Sequence, residues 1–239
     1  MKKFILILIN IFFLNCHLQA FAQNSEEQNE ALNNFVQKIQ EKDFRVFSPL
    51  KPTPSRFFTA DLSLPDHFST TNNLAKKPGS FYRAFGEVIF VQGIVRDSFG
   101  VPITGAIIEI WQANSAGKYH SLLDASSEYV DKYFSMSGKA VSDNLGNYSF
   151  ITIMPGANAG RAPHINMNLY HPKFGKLETE MYFENHPFNE TDYQYLSYLE
   201  PERKALTAKV ENTDILNIES IKLCTFDIVM KGVQQYKKF

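Results

Sequence analysis

A chain of 239 residues with 44% hydrophobic residues can bury a substantial core, and 14% aromatic content excludes a disordered polymer. Its 24 basic and 25 acidic residues leave a formal net charge of −1, so no global field draws it onto nucleic acid or an anionic membrane. Two cysteines exclude a disulfide framework and a cysteine-rich zinc module, which leaves polar chemistry to the 11 tyrosines, six histidines and the carboxylates.

The chain opens on Met1-Lys2-Lys3, continues through apolar residues 4–9 and 11–14, and reaches the small-x-small sequence Ala20-Phe21-Ala22. A basic start, a short apolar middle and such an exit predict a secretory signal peptide over residues 1–22. The apolar run is too short for a membrane span, which needs ~20 residues. Leu14-Asn15 ahead of Cys16 is a poor match to a lipidation site. The expected mature protein is therefore exported, periplasmic or extracellular, without a membrane span. Its one remaining cysteine, Cys224, sits in the apolar run Leu223-Cys224-Thr225-Phe226 and reads as an inert buried thiol.

Residues 24–43 place Leu32, Phe35, Val36 and Ile39 at helical spacing after Ser25-Glu26-Glu27, which predicts an amphipathic helix. From Phe44 to about Arg83, prolines 49, 52, 54, 65 and 78 predict an extended arm with little regular structure. The helix and arm together occupy residues 23–85, and a β domain is expected over 86–239. Strand patterns fall at 88–95, 106–111, 140–142, 148–153, 179–183 and 225–230, with turn clusters at Asp97-Ser98-Phe99-Gly100 and Asp143-Asn144-Leu145-Gly146. Repeated short strands with such turns predict an antiparallel β-sandwich. A short helix is expected from Pro201 to Val210.

The strand His164-Ile165-Asn166-Met167-Asn168-Leu169-Tyr170 is the most informative. Side chains alternate along a strand, so Ile165, Met167 and Leu169 share a core face, and His164, Asn166, Asn168 and Tyr170 share the other. An imidazole and two amides in a row need polar partners wherever that face is buried.

The string Trp111-Gln112-Ala113-Asn114-Ser115-Ala116-Gly117-Lys118-Tyr119 resembles the intradiol ring-cleavage dioxygenases, and within them the protocatechuate 3,4-dioxygenase β chains. The likeness continues in order through 142–150, Pro155-Gly156, Arg161-Ala162-Pro163-His164-Ile165, 179–183 and 226–232. The resemblance implies a β-sandwich holding a non-haem Fe(III) ion between two tyrosinates and two histidines, a hard ion suited to phenolate oxygen. It also implies a small aromatic diol as substrate, ring opening with dioxygen, and an arginine that assists developing charge.

On that pattern Tyr119 and His164 are metal ligands and Arg161 is the assisting, catalytic arginine. The other two ligand positions carry Asn158 and Asn166, and the family's glutamine is Glu180. Asparagine is a neutral, weak donor. Because even second-shell losses typically cost 10–100-fold in metal affinity, two lost ligands argue against the family's ferric centre. Glu180 would compensate, for another metal, if its strand neighbours that of His164, although a surface or ion-paired carboxylate is its plainer reading. His120, Tyr148 and His171 are weaker substitutes. Tyr148 reads as a strand aromatic, His171 as a solvated loop residue, and His67 and His186 carry no ligand pattern. Three readings follow, in order: an impaired or silent family member acting as a binding protein or a partner in a homo-oligomer or with a related subunit; an active dioxygenase with rearranged ligands; and a non-enzymatic surface or carbohydrate-binding sandwich.

Overall fold

Side-chain alternation builds both leaves of this fold. The computed structural model describes residues 49–56, 64–119, 130–213 and 221–233. The expected signal peptide and the helix at 24–43 lie outside the described residues. Nine strands follow in chain order: β1 (Val88–Arg96), β2 (Ile107–Gln112), β3 (Ser137–Val141), β4 (Asn147–Ile153), β5 (His164–His171), β6 (Gly175–Phe183), β7 (Thr207–Thr213), β8 (Ile221–Thr225) and β9 (Ile228–Val229). In β1, Ile89, Val91 and Val95 are buried while the residues between them, Gly93 apart, are half-buried. This is the period-2 pattern of a strand with one face on a core.

The strands are ordered β3-β2-β5-β6-β7-β8-β1-β4, with β9 added beside β1. The fold is mainly β and mostly antiparallel, as expected. Parallel pairing occurs where β1 meets β8 and β9, and where the end of β6 meets β7. Ile108 and Ile110 of β2, Ile165, Met167 and Leu169 of β5, and Met181 of β6 join Val91 and Phe150 in one buried cluster. Cys224 belongs to the same cluster, and burial pushes its thiol up to about 12.

Two expected elements need correction. The helix expected from Pro201 to Val210 covers only Glu200–Ala205, and the chain then enters β7 at Thr207. Thr207 and Ala208 pair with Tyr182 and Phe183, and Lys209–Thr213 pair with β8. This sheet pairing overrides local helix propensity. The strand expected over 225–230 is broken at Phe226-Asp227, because the Asp227 carboxylate replaces a ladder partner by accepting from the Ile94 N–H at 2.9 Å. Phe226 N–H still donates to Gln92 O at 2.8 Å, so the chain resumes beside β1 as β9.

The described part of the arm carries no helix or strand, only an isolated bridge from Asn73 to Ile151. It is nonetheless tied to both leaves. Thr53 N–H donates to Val229 O at 2.9 Å, and Arg56 N–H donates to Glu178 O at 2.9 Å on β6. Thr53 Oγ1 is buried and accepts from the Val229 N–H at 2.8 Å. Thr53→Val keeps the shape but orphans that N–H, so it is expected to cost about 1–3 kcal/mol. A lower urea midpoint at unchanged denaturant slope would register the loss.

Candidate functional site

The motif around Trp111 works as a scaffold for Tyr119. Trp111 is buried at the end of β2, and Gln112 turns into the core, donating to Ile153 O at 2.8 Å and accepting from the Thr152 hydroxyl at 2.8 Å. Asn114 then organises the turn: its Oδ1 accepts from the N–H groups of Ala116 and Lys118 at 2.9 and 3.0 Å. Gly117 has φ +74°, and a Cβ there would lie 2.0 Å from Ala157 O. Only glycine lets this turn press against residues 155–158. Tyr119 emerges from it half-buried and lines a cleft of about 450 Å³ with Trp111, His67, Lys77, Lys132 and Ser135.

β5 supplies the facing groups. His164 and Asn166 are both buried, on the face opposite Ile165 and Met167. The His164 Nδ1–H donates to Ala162 O at 2.7 Å, which fixes the tautomer and leaves the Nε2 lone pair facing the Tyr119 hydroxyl at 3.4 Å. Burial, and then the positive Arg161, lower the His164 pKa and keep the ring neutral. Asn166 Nδ2 donates to Tyr119 Oη at 3.2 Å and to Trp111 O at 3.4 Å, so it turns donor atoms, not its oxygen, toward the tyrosine.

Asn158 faces elsewhere. Its Nδ2 donates to Gly117 O, and its backbone closes a two-residue turn with Arg161, whose N–H donates to Asn158 O at 2.7 Å. Ala159 and Gly160 inside the turn have φ of +47° and +80°. Two positive φ values are the signature of a type I′ turn, which strains any residue bearing a Cβ. Ala159→Gly is expected to raise stability by about 0.5–1 kcal/mol, the relief of strain less the entropy glycine adds to the unfolded chain. Thermal unfolding of the two proteins side by side checks this.

Arg161 is held by a buried network. Its Nε donates to both Asp192 oxygens at 3.1 and 3.0 Å, and one terminal nitrogen donates to Glu180 at 2.8 Å and to the Tyr182 hydroxyl at 2.6 Å. Tyr182 donates in turn to Glu180 at 2.7 Å, and Gln194 donates to the other Glu180 oxygen at 3.1 Å. Burial works against the guanidinium charge, but Glu180, Tyr182 and Asp192 overcome it and raise the Arg161 pKa. Burial and the Glu180 charge raise the Tyr182 pKa, so its hydroxyl stays protonated and donates.

β6 does neighbour β5, and Glu180 pairs with Asn166 on the same face. Its carboxylate is nevertheless engaged by Arg161, Tyr182 and Gln194. The remaining singled-out residues stand apart from this cluster or outside it. Tyr148 is a buried strand aromatic donating to Phe226 O at 2.6 Å. His171 ends β5, where its Nδ1 accepts from the Lys173 N–H, and His186 accepts from the Phe188 N–H at a turn. His120 lies outside the described residues.

Asp192, Tyr182 and Gln194 were not legible as site residues. Asp192 is fully buried and also caps the helix Tyr193–Ser197, accepting from the N–H groups of Gln194 and Tyr195 at 2.9 Å. A cap residue ahead of a short helix was a readable signal. Its partnership with an arginine 31 positions away was not.

The family's ferric centre calls for four donor atoms, two phenolate oxygens and two imidazole nitrogens. One phenol and one imidazole are suitably placed, while one asparagine presents N–H groups and the other is tied to a backbone carbonyl. The described residues do not fit that centre. Among them, no three His, Cys, Asp or Glu side chains gather as a metal cage.

A family profile described as Dioxygenase matches residues 67–232. The protocatechuate 3,4-dioxygenase beta chain of Burkholderia cepacia is 35% identical over 185 residues, covering 72% of this chain and 74% of that one. The chain belongs to the intradiol ring-cleavage dioxygenase family. Solved structures agree on the intradiol fold. The 3-chlorocatechol 1,2-dioxygenase of Rhodococcus opacus matches with a TM-score of 0.60 at 16% identity, covering 93% of this chain and 97% of that one. The dioxygenase domain of a carbohydrate-binding fusion from Streptomyces sp. matches with a TM-score of 0.59 at 24% identity, covering 77% and 100%.

Proposed function

We propose that this protein is an exported member of the intradiol family that no longer assembles the ferric centre and serves as a binding protein or partner subunit for a small aromatic diol. The observation that carries this reading is that the Tyr119 hydroxyl faces His164 and accepts from the Asn166 amide, with Asn158 tied to Gly117. The surviving ligand-type residues bond to each other and to amides, which are poor donors to a hard trivalent ion. Export rests on the sequence of residues 1–22. The diol class rests on the family and on relatives that act on catechols and protocatechuate.

The rearranged-ligand reading requires Glu180 to give up bonds to Arg161, Tyr182 and Gln194, which already engage both of its oxygens. That makes it the weaker reading. Oxygen uptake by the purified chain, supplied with iron and offered catechol, protocatechuate or hydroxyquinol, separates the two. The expected result is uptake no faster than a buffer control. Turnover that Tyr119→Phe abolishes would establish an active dioxygenase instead.

A further inference from the structure

The buried network around Arg161 carries an imbalance of charge. One guanidinium faces two carboxylates, Glu180 and Asp192, whose side chains are 3% and 0% exposed. Tyr182, which bonds to both Arg161 and Glu180, has its ring centre 5.9 Å from that of His164. The formal charge beside His164 is therefore −1. A neutral amide at position 180, as the family pattern has it, would leave zero. The nearby cations do not restore the balance: Arg56, buried over the Trp111 ring at 4.8 Å, stands 3.9 Å from the carboxylate of Glu178, and Lys77 and Lys132 stand in water on the wall of the cleft, where exposed charges are screened.

Resting on the reading of a retained diol pocket, we propose that Glu180 is a specificity-determining residue. By holding Arg161 it turns the site against aromatic carboxylates and toward neutral or cationic aromatic diols. Glu180 acts as a positioning residue in this role. Its carboxylate engages one terminal nitrogen of Arg161, and it adds a buried negative charge behind His164. At an effective dielectric of about 20, one unit charge at about 10 Å changes affinity roughly tenfold.

Calorimetric titration of the full chain with 3,4-dihydroxybenzoate, catechol and dopamine tests this, because the probes share a ring and differ in charge. The unaltered protein is expected to bind dopamine about a hundredfold tighter than dihydroxybenzoate, with catechol between. Glu180→Gln is expected to weaken dopamine and strengthen dihydroxybenzoate about tenfold each, closing that gap, and to leave catechol within about twofold. Because Glu180 and Asp192 are buried, added salt should leave the ranking of the probes in the unaltered chain largely unchanged, and a ranking that salt abolishes would assign it to surface charges and overturn the proposal even where the variant fails to fold. Equal ratios in both proteins, tightest binding of the carboxylate by the unaltered chain, or no binding of any probe would overturn the proposal. Iron retention and oxygen uptake are separate readouts, so an active enzyme with the predicted ranking would refute only the non-catalytic reading.

Discussion

Asp192→Ala is expected to destabilise the domain by about 3–5 kcal/mol, the usual result of removing one partner from a buried ion pair. For a domain of this size that is a fall in Tm of about 10 °C. Several losses coincide at this residue. Arg161 Nε loses both carboxylate oxygens, and the buried Ala162 N–H loses its 2.8 Å acceptor. The helix Tyr193–Ser197 loses its cap, which alone contributes about 1 kcal/mol. Asp192→Asn should recover part of the loss, because an amide oxygen can still accept from the helix N–H groups. Thermal and urea unfolding of both variants measures the effect, and an alanine variant within about 0.5 kcal/mol of the parent would contradict the network described.

The second large effect concerns metal. Asn158→Tyr with Asn166→His rebuilds the tyrosine and histidine of the family pattern beside Tyr119 and His164. The double variant is expected to bind Fe(III) at least 10²-fold tighter than the unaltered chain, since even outer-shell changes shift metal affinity 10–100-fold. Each single variant should fall between. The changes are not free of strain: Asn158→Tyr gives up the bond to Gly117 O, and its neighbour Ala159 stays at positive φ. Adding Ala159→Gly should therefore improve the yield of folded double variant. Iron content per chain, read with the visible spectrum, is the measurement. A double variant that binds no more iron than its parent would show that Asn158 and Asn166 do not decide iron binding.

Much of the sandwich was readable because its strands announce themselves by alternation and turn chemistry. β1, β4 and β5 fall where the sequence places them, and the faces of β5 separate as alternation requires, with Ile165 and Met167 in the core and His164 and Asn166 opposite. β7 was missed because Thr207–Val210 follow directly on a helix, and because its pairing with Tyr182 and Phe183 is a tertiary contact with no local trace. The break at Asp227 was hidden for the same reason, since its carboxylate answers an N–H on β1.

At the site, the identities of Tyr119, His164, Arg161 and the two asparagines came from motif spacing, yet their engagements did not. Spacing could place Glu180 on a strand, but only the β5–β6 register sets it opposite Asn166, and only the fold brings Asp192 to Arg161. The motif offers Arg161 as an arginine that assists developing charge, and the fold adds two buried carboxylates that tie it to β6 and to the cap of the helix Tyr193–Ser197.

Whether this intradiol chain assembles the family's ferric centre is read by adding Fe(III) to the purified protein, removing excess, and measuring bound iron together with the visible spectrum. Far less than one iron per chain and no tyrosinate-to-iron charge-transfer band are expected. One iron per chain with that band would contradict the proposed function.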